Sequence, residues 1–260
     1  MAKRPTDRNL KARMAAGDIM TGTFVKTPAY EVVEVLAKSR MDFIALDAEH
    51  VGFDRGRLDA SLALARANDF PALVRVPDGA PSQILGVLDS GATGVIVPHV
   101  DSVEKAKAVI KACHFGHGGR GYAGSTRWAG FATRPMQDVL AQSQKETVAI
   151  IQIEEPEGVE AVEEIAALDG LDGIFLGPAD LAVCYGVTDI NAPVVRQALA
   201  RVGKAAKANG VTLMTFAPNG KTCAELHALG VSLFYIASEH SFILKGANDA
   251  ADVIAEKLRG

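Results

Sequence analysis

Cysteine is scarce in this sequence, which has only three cysteines among 260 residues. Cys113, Cys184 and Cys223 stand far apart and form no CxxC pair. This spacing excludes the common zinc motifs, and the odd number argues against a disulfide framework. Because reduced thiols are typical of a reducing compartment, we expect a cytoplasmic protein.

Long apolar runs and clustered positive charge are also missing. The longest apolar runs are the length of a β-strand, whereas a membrane helix needs about 20 apolar residues. The first segment, MAKRPTDRNLKARMAAGD, lacks the apolar core of a secretory signal. The net charge is −4 and no basic stripe is visible. We therefore expect neither a membrane nor a nucleic acid as a partner.

What the chain does contain is an alternation of short apolar runs and longer amphipathic segments. Most of the apolar runs are bounded by Gly, Pro or Asp, which is typical of β-strands. The predicted strands are residues 19–25, 43–48, 71–76, 94–98, 148–154, 173–177, 211–216 and 232–237. Amphipathic helices are predicted over residues 29–39, 55–69, 81–91, 102–113, 156–168, 194–210, 220–230 and 239–258, whereas residues 113–134, rich in Gly and Arg, predict a loop.

Eight strand–helix units of this size predict a (β/α)₈ barrel (TIM barrel) of the α/β class, since such barrels commonly use about 250 residues. With no linker or composition break, residues 1–260 are expected to form one domain. The rival fold is an open, doubly wound sheet. That fold usually has a Gly-rich GxGxxG turn after its first strand, and this sequence has none there.

Polar residues collect where the fifth and sixth strands end, which in such barrels is the side of the active site. Side chains alternate along a strand, so Gln152 and Glu154 share one face. A buried carboxylate is costly unless it is paired or holds a cation. Glu154 and Asp180 follow neighbouring strands, and such a carboxylate pair is typical of an Mg²⁺ or Mn²⁺ site. The alternative is that both acids cap helices or form ordinary ion pairs.

Three further features at the carboxyl ends of the strands, which form the rim of the predicted barrel, have both a functional and a structural interpretation. His50 is a candidate general base with Asp47 setting its tautomer, or a histidine that only hydrogen-bonds its neighbours. Arg75 could stabilise an enolate oxygen or simply pair with Asp47. The segment GPAD, residues 177–180, could hold a carboxylate on its backbone N–H groups or be an ordinary turn. The roles of His99 and Arg127 are left open.

Five segments, FIALDAEH, LVRV, GVIVPHV, IIQIEEPEGV and GIFLGPADLA, together resemble the metal-dependent pyruvate aldolases of the HpcH/HpaI family. The resemblance covers about residues 18–250. It implies a barrel of the phosphoenolpyruvate/pyruvate type whose last helix is swapped between subunits of a homo-oligomer, either a hexamer or an assembly of trimers or dimers. It also implies Glu154 and Asp180 as ligands of a divalent metal, with Co²⁺ possible beside Mg²⁺ and Mn²⁺.

The resemblance also assigns roles to the other rim residues. His50 is the implied base, Asp47 assists it, and Arg75 stabilises the enolate. Asp89 is implied to reach the site of a neighbouring subunit. The residues expected to contact the substrate are Gln152, Gly177, Pro178, Ala179, Asp180 and Phe216.

The activity that these features predict is reversible cleavage of 4-hydroxy-2-oxo acids to pyruvate or hydroxypyruvate and an aldehyde, through a metal-stabilised enolate. Such a reaction belongs to the catabolism of aromatic compounds or sugar acids. Three alternatives stay open. The first is a Schiff-base aldolase using Lys26, and the second is a lyase of the citrate-lyase type acting on CoA thioesters. The third is a barrel that only binds a 2-oxo acid or a metal.

Overall fold

The eight predicted strands form a closed parallel barrel in the computed structural model, which describes residues 9–218 and 220–259. Each strand pairs with the next in sequence, and the eighth pairs with the first. The strands are β1 (Met20–Val25), β2 (Phe43–Asp47), β3 (Ala72–Arg75), β4 (Gly94–Val97), β5 (Val148–Ile153), β6 (Gly173–Leu176), β7 (Thr212–Phe216) and β8 (Val231–Ser238). The prediction of a (β/α)₈ barrel is therefore confirmed.

Helices fill the connections between the strands and cover the outside of the barrel. They are α1 (Leu10–Ala15), α2 (Tyr30–Leu36), α3 (Arg55–Ala67), α4 (Pro81–Ser90), α5 (Val103–Cys113), α6 (Met136–Glu146), α7 (Pro156–Glu160), α8 (Val162–Ala166), α9 (Pro178–Cys184), α10 (Pro193–Ala208), α11 (Gly220–Ala228) and α12 (Glu239–Arg259). Among the helices of these ranges, none has both the length and the apolar character needed to cross a bilayer.

Two apolar layers hold the barrel together, one inside the sheet and one between sheet and helices. In β5, Ile150 belongs to the inner layer, whereas Ile151 and Ile153 belong to the outer one. This alternation is what the pleat of a strand imposes. Gln152 and Glu154 continue the inner face toward the carboxyl end of the barrel, as the sequence pattern predicts.

The long connection between β4 and β5 was predicted to be a loop over residues 113–134, and most of it is irregular. Its centre is Trp128, which is buried and lies beneath the guanidinium of Arg66. The helix α6 that follows the loop was not predicted. Its only buried members are Val139 and Ser143, so its sequence carries a weak apolar stripe.

The last helix, α12, is fastened to the barrel at its first residue. The buried carboxylate of Glu239 accepts hydrogen bonds from the backbone N–H groups of Lys26 and Thr27, which directly follow β1. Thr27 Oγ1 also lies 2.9 Å from His240 Nε2. Beyond this anchor, α12 makes few contacts with the strands and exposes several large apolar side chains.

Two helical glycines offer a matched test of the packing between helices and barrel. A Cβ at Gly203 in α10 would lie 2.1 Å from the carbonyl oxygen of Leu229, whereas a Cβ at Gly86 in α4 would meet no atom within 4 Å. We expect Gly203→Ala to lower the free energy of unfolding by about 1–3 kcal/mol. Gly86→Ala should raise it by about 0.5–1 kcal/mol, because alanine favours a helix. Urea unfolding of both variants measures this, and equal effects would contradict the packing described.

Candidate active site

The charged side chains of the barrel mouth are built on β2, β3 and β5. Asp47 and Arg75 are direct neighbours across the β2–β3 pair. Arg75 Nε donates to Asp47 Oδ1 at 3.1 Å and Nη2 donates to Oδ2 at 2.8 Å. The guanidinium also lies over the ring of Phe24, 4.7 Å from its centroid. This two-point contact fixes the plane of the guanidinium.

The Asp47–Arg75 pair is almost fully removed from water, with Asp47 0% and Arg75 5% exposed. Burial by itself raises the pKa of Asp47. The hydrogen bonds and the charge of Arg75 outweigh burial, with help from the backbone N–H of His50 and the charge of Lys26, and hold the pKa below its usual range. Asp47 is therefore an ionised anchor for Arg75.

Glu49 is a second carboxylate beside Arg75. Its side chain is 9% exposed, and Oε2 lies 3.1 Å from Arg75 Nε. Oε2 is buried and accepts no hydrogen bond from any residue that the structure describes. Burial raises the pKa of Glu49, and the charge of Glu154 adds to this rise against the opposing effects of Arg75 and His50. Glu49 is thus ion-paired with Arg75 and yet has a raised pKa, because burial outweighs the attraction.

Glu154 and Gln152 form a buried polar pair against the start of α9. The Gln152 amide donates to Glu154 Oε2, and the backbone N–H of His99 donates to Oε1 at 2.9 Å. Gln152 Oε1 is buried without a hydrogen-bond donor among the described residues. A Cβ at Gly177 would lie 3.0 Å from Glu154 Oε2. Glycine at this position therefore leaves room for the carboxylate.

His99, whose role the sequence left open, lies over these acids. Its Nδ1 is 3.1 Å from Glu155 Oε1 and 3.4 Å from Glu154 Oε1, and its Nε2 is 3.5 Å from Glu49 Oε1. Burial alone would lower the pKa of His99, but Glu154, Glu155 and Glu49 together raise it. The backbone of His99 has a positive φ of 55°, a left-handed conformation that turns the chain at the end of β4.

The predicted base, His50, stands at the edge of the same group. Its ring is 55% exposed, and Nε2 lies 3.5 Å from Glu49 Oε2. Asp47 accepts a hydrogen bond from the backbone N–H of His50 rather than being the carboxylate paired with its ring. Lys26, the candidate for a Schiff base, has its Nζ 3.6 Å from Asp47 Oδ2. Both residues thus border the mouth.

The residues predicted to contact the substrate are spread around the mouth. Pro178 begins α9, while Ala179 and Asp180 are exposed in its first turn. Phe216 stacks on Phe24 at a centroid distance of 5.5 Å. Phe216 and Pro178 line the same cavity, which has a volume of 240 Å³. This cavity opens between β6, β7 and the helices that follow them.

Asp89, the predicted subunit contact, lies in α4 and accepts a hydrogen bond from Arg120 Nη2 at 2.6 Å. Arg120 is buried and lies over the ring of Phe115. Arg127 pairs in turn with Asp59 at 2.8 Å. The polar residues of the long loop are therefore tied to α3 and α4 of their own chain.

One group in the described part of the chain has the spacing of a metal site. Glu49, His99 and Glu154 each offer one donor atom, and the three atoms lie within 4.8 Å of one another. Of the two predicted ligands, Glu154 belongs to this group, whereas Asp180 lies outside it. Glu49 was not predicted as a ligand, although its position two residues after the end of β2 puts it at the same end of the barrel.

Comparison with known proteins finds relatives over most of the chain. The family model described as HpcH/HpaI aldolase/citrate lyase matches residues 20–242. A hydroxypyruvate/pyruvate aldolase of Roseovarius nubinhibens is 34% identical over 215 residues, covering 80% of this chain and 82% of the relative. A 5-keto-4-deoxy-D-glucarate aldolase of Enterobacter sp. strain 638 is 36% identical over 210 residues, covering 80% of this chain and 81% of the relative.

A solved structure gives the same result for the fold. The crystal structure of an HpcH/HpaI aldolase/citrate lyase family protein from Burkholderia cenocepacia J2315 superposes with a TM-score of 0.88. It is 30% identical and covers 95% of this chain and 99% of its own. The similarity therefore extends over almost the whole barrel.

The buried Asp47–Arg75 pair generates a stability prediction. Asp47→Ala leaves the Arg75 guanidinium without its two-point partner, and we expect a loss of roughly 3–5 kcal/mol in the free energy of unfolding. Asp59→Ala is the matched control because its ion pair with Arg127 is partly exposed, so its loss should cost only about 0–1 kcal/mol. Denaturant titration compares the two. Equal losses in the free energy of unfolding would mean that the buried pair stabilises the fold no more than the Asp59–Arg127 pair does.

Proposed function

The chain belongs to the HpcH/HpaI aldolase/citrate lyase family and is a carbon–carbon lyase, and we propose that it is a divalent-metal-dependent aldolase. The proposed reaction is reversible cleavage of a 4-hydroxy-2-oxo acid to pyruvate or hydroxypyruvate and an aldehyde. The observation that carries the proposal is the pairing of Asp47 and Glu49 with the buried guanidinium of Arg75, together with the buried carboxylate of Glu154 beside Glu49.

The residues present fit a divalent metal. Glu49 Oε2 and Gln152 Oε1 are buried without a hydrogen-bond donor in the described chain, and carboxylate oxygens are the donors that Mg²⁺ and Mn²⁺ prefer. Glu154 would hold the ion, with Glu49 from the group in the structure or Asp180 as the family resemblance implies. A bound Mg²⁺, Mn²⁺ or Co²⁺ would act as a Lewis acid toward the keto group of the substrate.

Arg75 is the proposed partner of the oxygen that gains negative charge. Its contacts with Asp47 use Nε and Nη2, and the proposal gives Nη1 the contact with the substrate. Because Asp47 and Phe24 already hold the guanidinium, it need not reorganise during the reaction. Such preorganised positive charge is an effective way to stabilise an enolate.

His50 is the proposed base. In the cleavage direction its imidazole takes the proton from the C4 hydroxyl, the C3–C4 bond breaks, and the aldehyde leaves. The enolate of pyruvate then takes up a proton at C3. The exposed ring of His50 at the rim suits a group that exchanges protons with water. Glu49, 3.5 Å from Nε2, orients the ring.

Two enzymatic alternatives are tested in the same assays. A Schiff base at Lys26 would be trapped by borohydride in the presence of pyruvate, whereas the proposed mechanism gives no covalent adduct. A lyase acting on CoA thioesters would cleave an acyl-CoA substrate and leave free 4-hydroxy-2-oxo acids intact. A barrel that only binds 2-oxo acids would turn over neither substrate.

The proposed reaction predicts strict dependence on a divalent cation. We expect EDTA to lower the rate of 4-hydroxy-2-oxo acid cleavage by about 10²-fold or more, and Mg²⁺ or Mn²⁺ to restore it. Glu154→Gln should give a loss that added metal does not restore, while the exposed Glu157→Gln should behave as wild type. Pyruvate release measures the rate. A full rate in metal-free protein would refute the metal requirement.

We also propose that α12 is the subunit contact of a homo-oligomer, with the helix swapped between subunits as the family resemblance implies. Ile243, Leu244, Ile254 and Leu258 are all more than half exposed on this helix. Such a stripe is costly in water and is typical of a surface that binds another protein. The position of α12, fastened only at its start, leaves the stripe available to a second copy.

This proposal predicts a change of mass on mutation. Combined Ile254→Lys and Leu258→Lys should reduce the assembly to smaller species, because charge on the apolar stripe opposes its burial. Val35→Lys on α2 is the control, since Val35 is also exposed but lies outside α12. Light scattering after gel filtration gives the masses. An unchanged mass in the double variant would exclude α12 as the contact.

A further inference from the structure

We propose that Lys26 is a specificity-determining residue that binds a carboxylate on the aldehyde half of the substrate. The substrate is then a 4-hydroxy-2-oxo acid with a second carboxylate at its far end, and the aldehyde that leaves is an anion. This inference rests on the proposed aldolase reaction and names the chemical class of its aldehyde.

Lys26 lies on the side of the barrel mouth that is left for the aldehyde. Glu154 follows β5 and the segment 177–180 follows β6, and in the proposed reaction this side holds the 2-oxo acid half. The aldehyde half therefore extends away from β5 and β6. Lys26 directly follows β1, which stands opposite β5 in the closed ring of eight strands. His50, the proposed base at the C4 hydroxyl, comes after the neighbouring strand β2.

The ammonium group of Lys26 is open to a ligand. Its Nζ lies 3.6 Å from Asp47 Oδ2, which is longer than a hydrogen bond. The same oxygen already accepts a hydrogen bond from Arg75 Nη2 at 2.8 Å. Within the described ranges Nζ donates no hydrogen bond, although an ammonium group carries three donors. Because the side chain is 34% exposed, a carboxylate can approach it from the mouth.

The main chain of Lys26 is held in place before any ligand binds. Both oxygens of the buried Glu239 carboxylate accept its N–H, each at 2.9 Å, and Oε1 also accepts the N–H of Thr27. Ala237, two residues before Glu239, has a positive φ of 104°. Strained backbone that its surroundings hold in place is typical of ligand-binding sites. A lysine on a fixed main chain loses less freedom when it binds a ligand.

The neighbours of Lys26 also suit a polar chain. Thr27 Oγ1 lies 2.9 Å from His240 Nε2, and the ring of His240 is 58% exposed. The carboxylate of Glu239 is turned to the main chain. An anionic aldehyde therefore meets a cation beside hydroxyl and imidazole groups, whereas an apolar aldehyde gains no such contact.

The test compares aldehydes that differ in charge, using full-length protein with Mg²⁺ and pyruvate. Glyoxylate and succinic semialdehyde carry a carboxylate, whereas glycolaldehyde and butanal are uncharged. We expect the wild type to have the higher kcat/KM with a charged aldehyde. Lys26→Met should lower this value by about tenfold to a hundredfold, since it removes a hydrogen bond between charged groups. The values for the uncharged aldehydes should stay nearly the same.

Two variants and a salt series serve as controls. Lys26→Arg keeps the positive charge and should keep the preference for charged aldehydes. Lys38→Met removes a lysine that donates to Asn68 at 3.0 Å beyond the end of α2, and it should behave as wild type. Added KCl should raise the KM for the charged aldehyde in the wild type but not in Lys26→Met, because salt screens the contact.

The outcomes separate this inference from the proposed function. Equal losses with charged and uncharged aldehydes in Lys26→Met would mean that Lys26 only offsets the charge of Asp47. That result, or a wild type without preference for charged aldehydes, would overturn the inference and leave the aldolase standing. Loss of every reaction in Lys26→Arg would indicate amine chemistry at Lys26 and overturn both proposals. If wild-type protein joins pyruvate to none of the four aldehydes, the proposed function fails and this inference fails with it.

Discussion

The contact between Asp47 and Arg75 determines how much positive charge is left for the other carboxylates of the barrel mouth. It joins neighbouring strands, removes one negative and one positive charge from water, and leaves Glu49 and Glu154 without an equal share of positive charge. Burial and the charge of Glu154 accordingly raise the pKa of Glu49. In the proposed function, a divalent ion would offset the repulsion between these acids.

Most of this barrel could be predicted from strand periodicity alone. The eight apolar runs mark the eight strands, and the alternation in IIQIE correctly places Gln152 and Glu154 on the inner face. Pattern is informative here because a strand buried on both faces, with polar residues only at its end, has few other interpretations. Helix α6 was not predicted because it buries few apolar side chains, so its sequence shows no clear apolar stripe.

The candidate site was predictable only in part, because strand ends obey alternation and loops do not. Asp47, Arg75 and Glu154 lie on strands or directly after them, so their common face follows from spacing. His99 reaches the acids through a left-handed backbone turn, which no periodicity reveals. Asp180 was predicted to be a ligand, but a side chain in the first turn of a short helix can point in several directions. Here it is exposed and lies outside the Glu49–His99–Glu154 group.

In the proposed oligomer, the anchor of α12 would link the contact between subunits to the charged residues of each barrel mouth. Glu239 holds the main chain of Lys26 and Thr27 at the end of β1, and the side chain of Lys26 reaches Asp47. A displacement of α12 would therefore reach the buried Asp47–Arg75 pair through only two contacts, Glu239 with the main chain of Lys26 and the Lys26 side chain with Asp47. A dissociated subunit would keep these charged groups but would hold the Asp47–Arg75 pair less rigidly. Because dilution favours dissociation, activity per chain would rise with protein concentration.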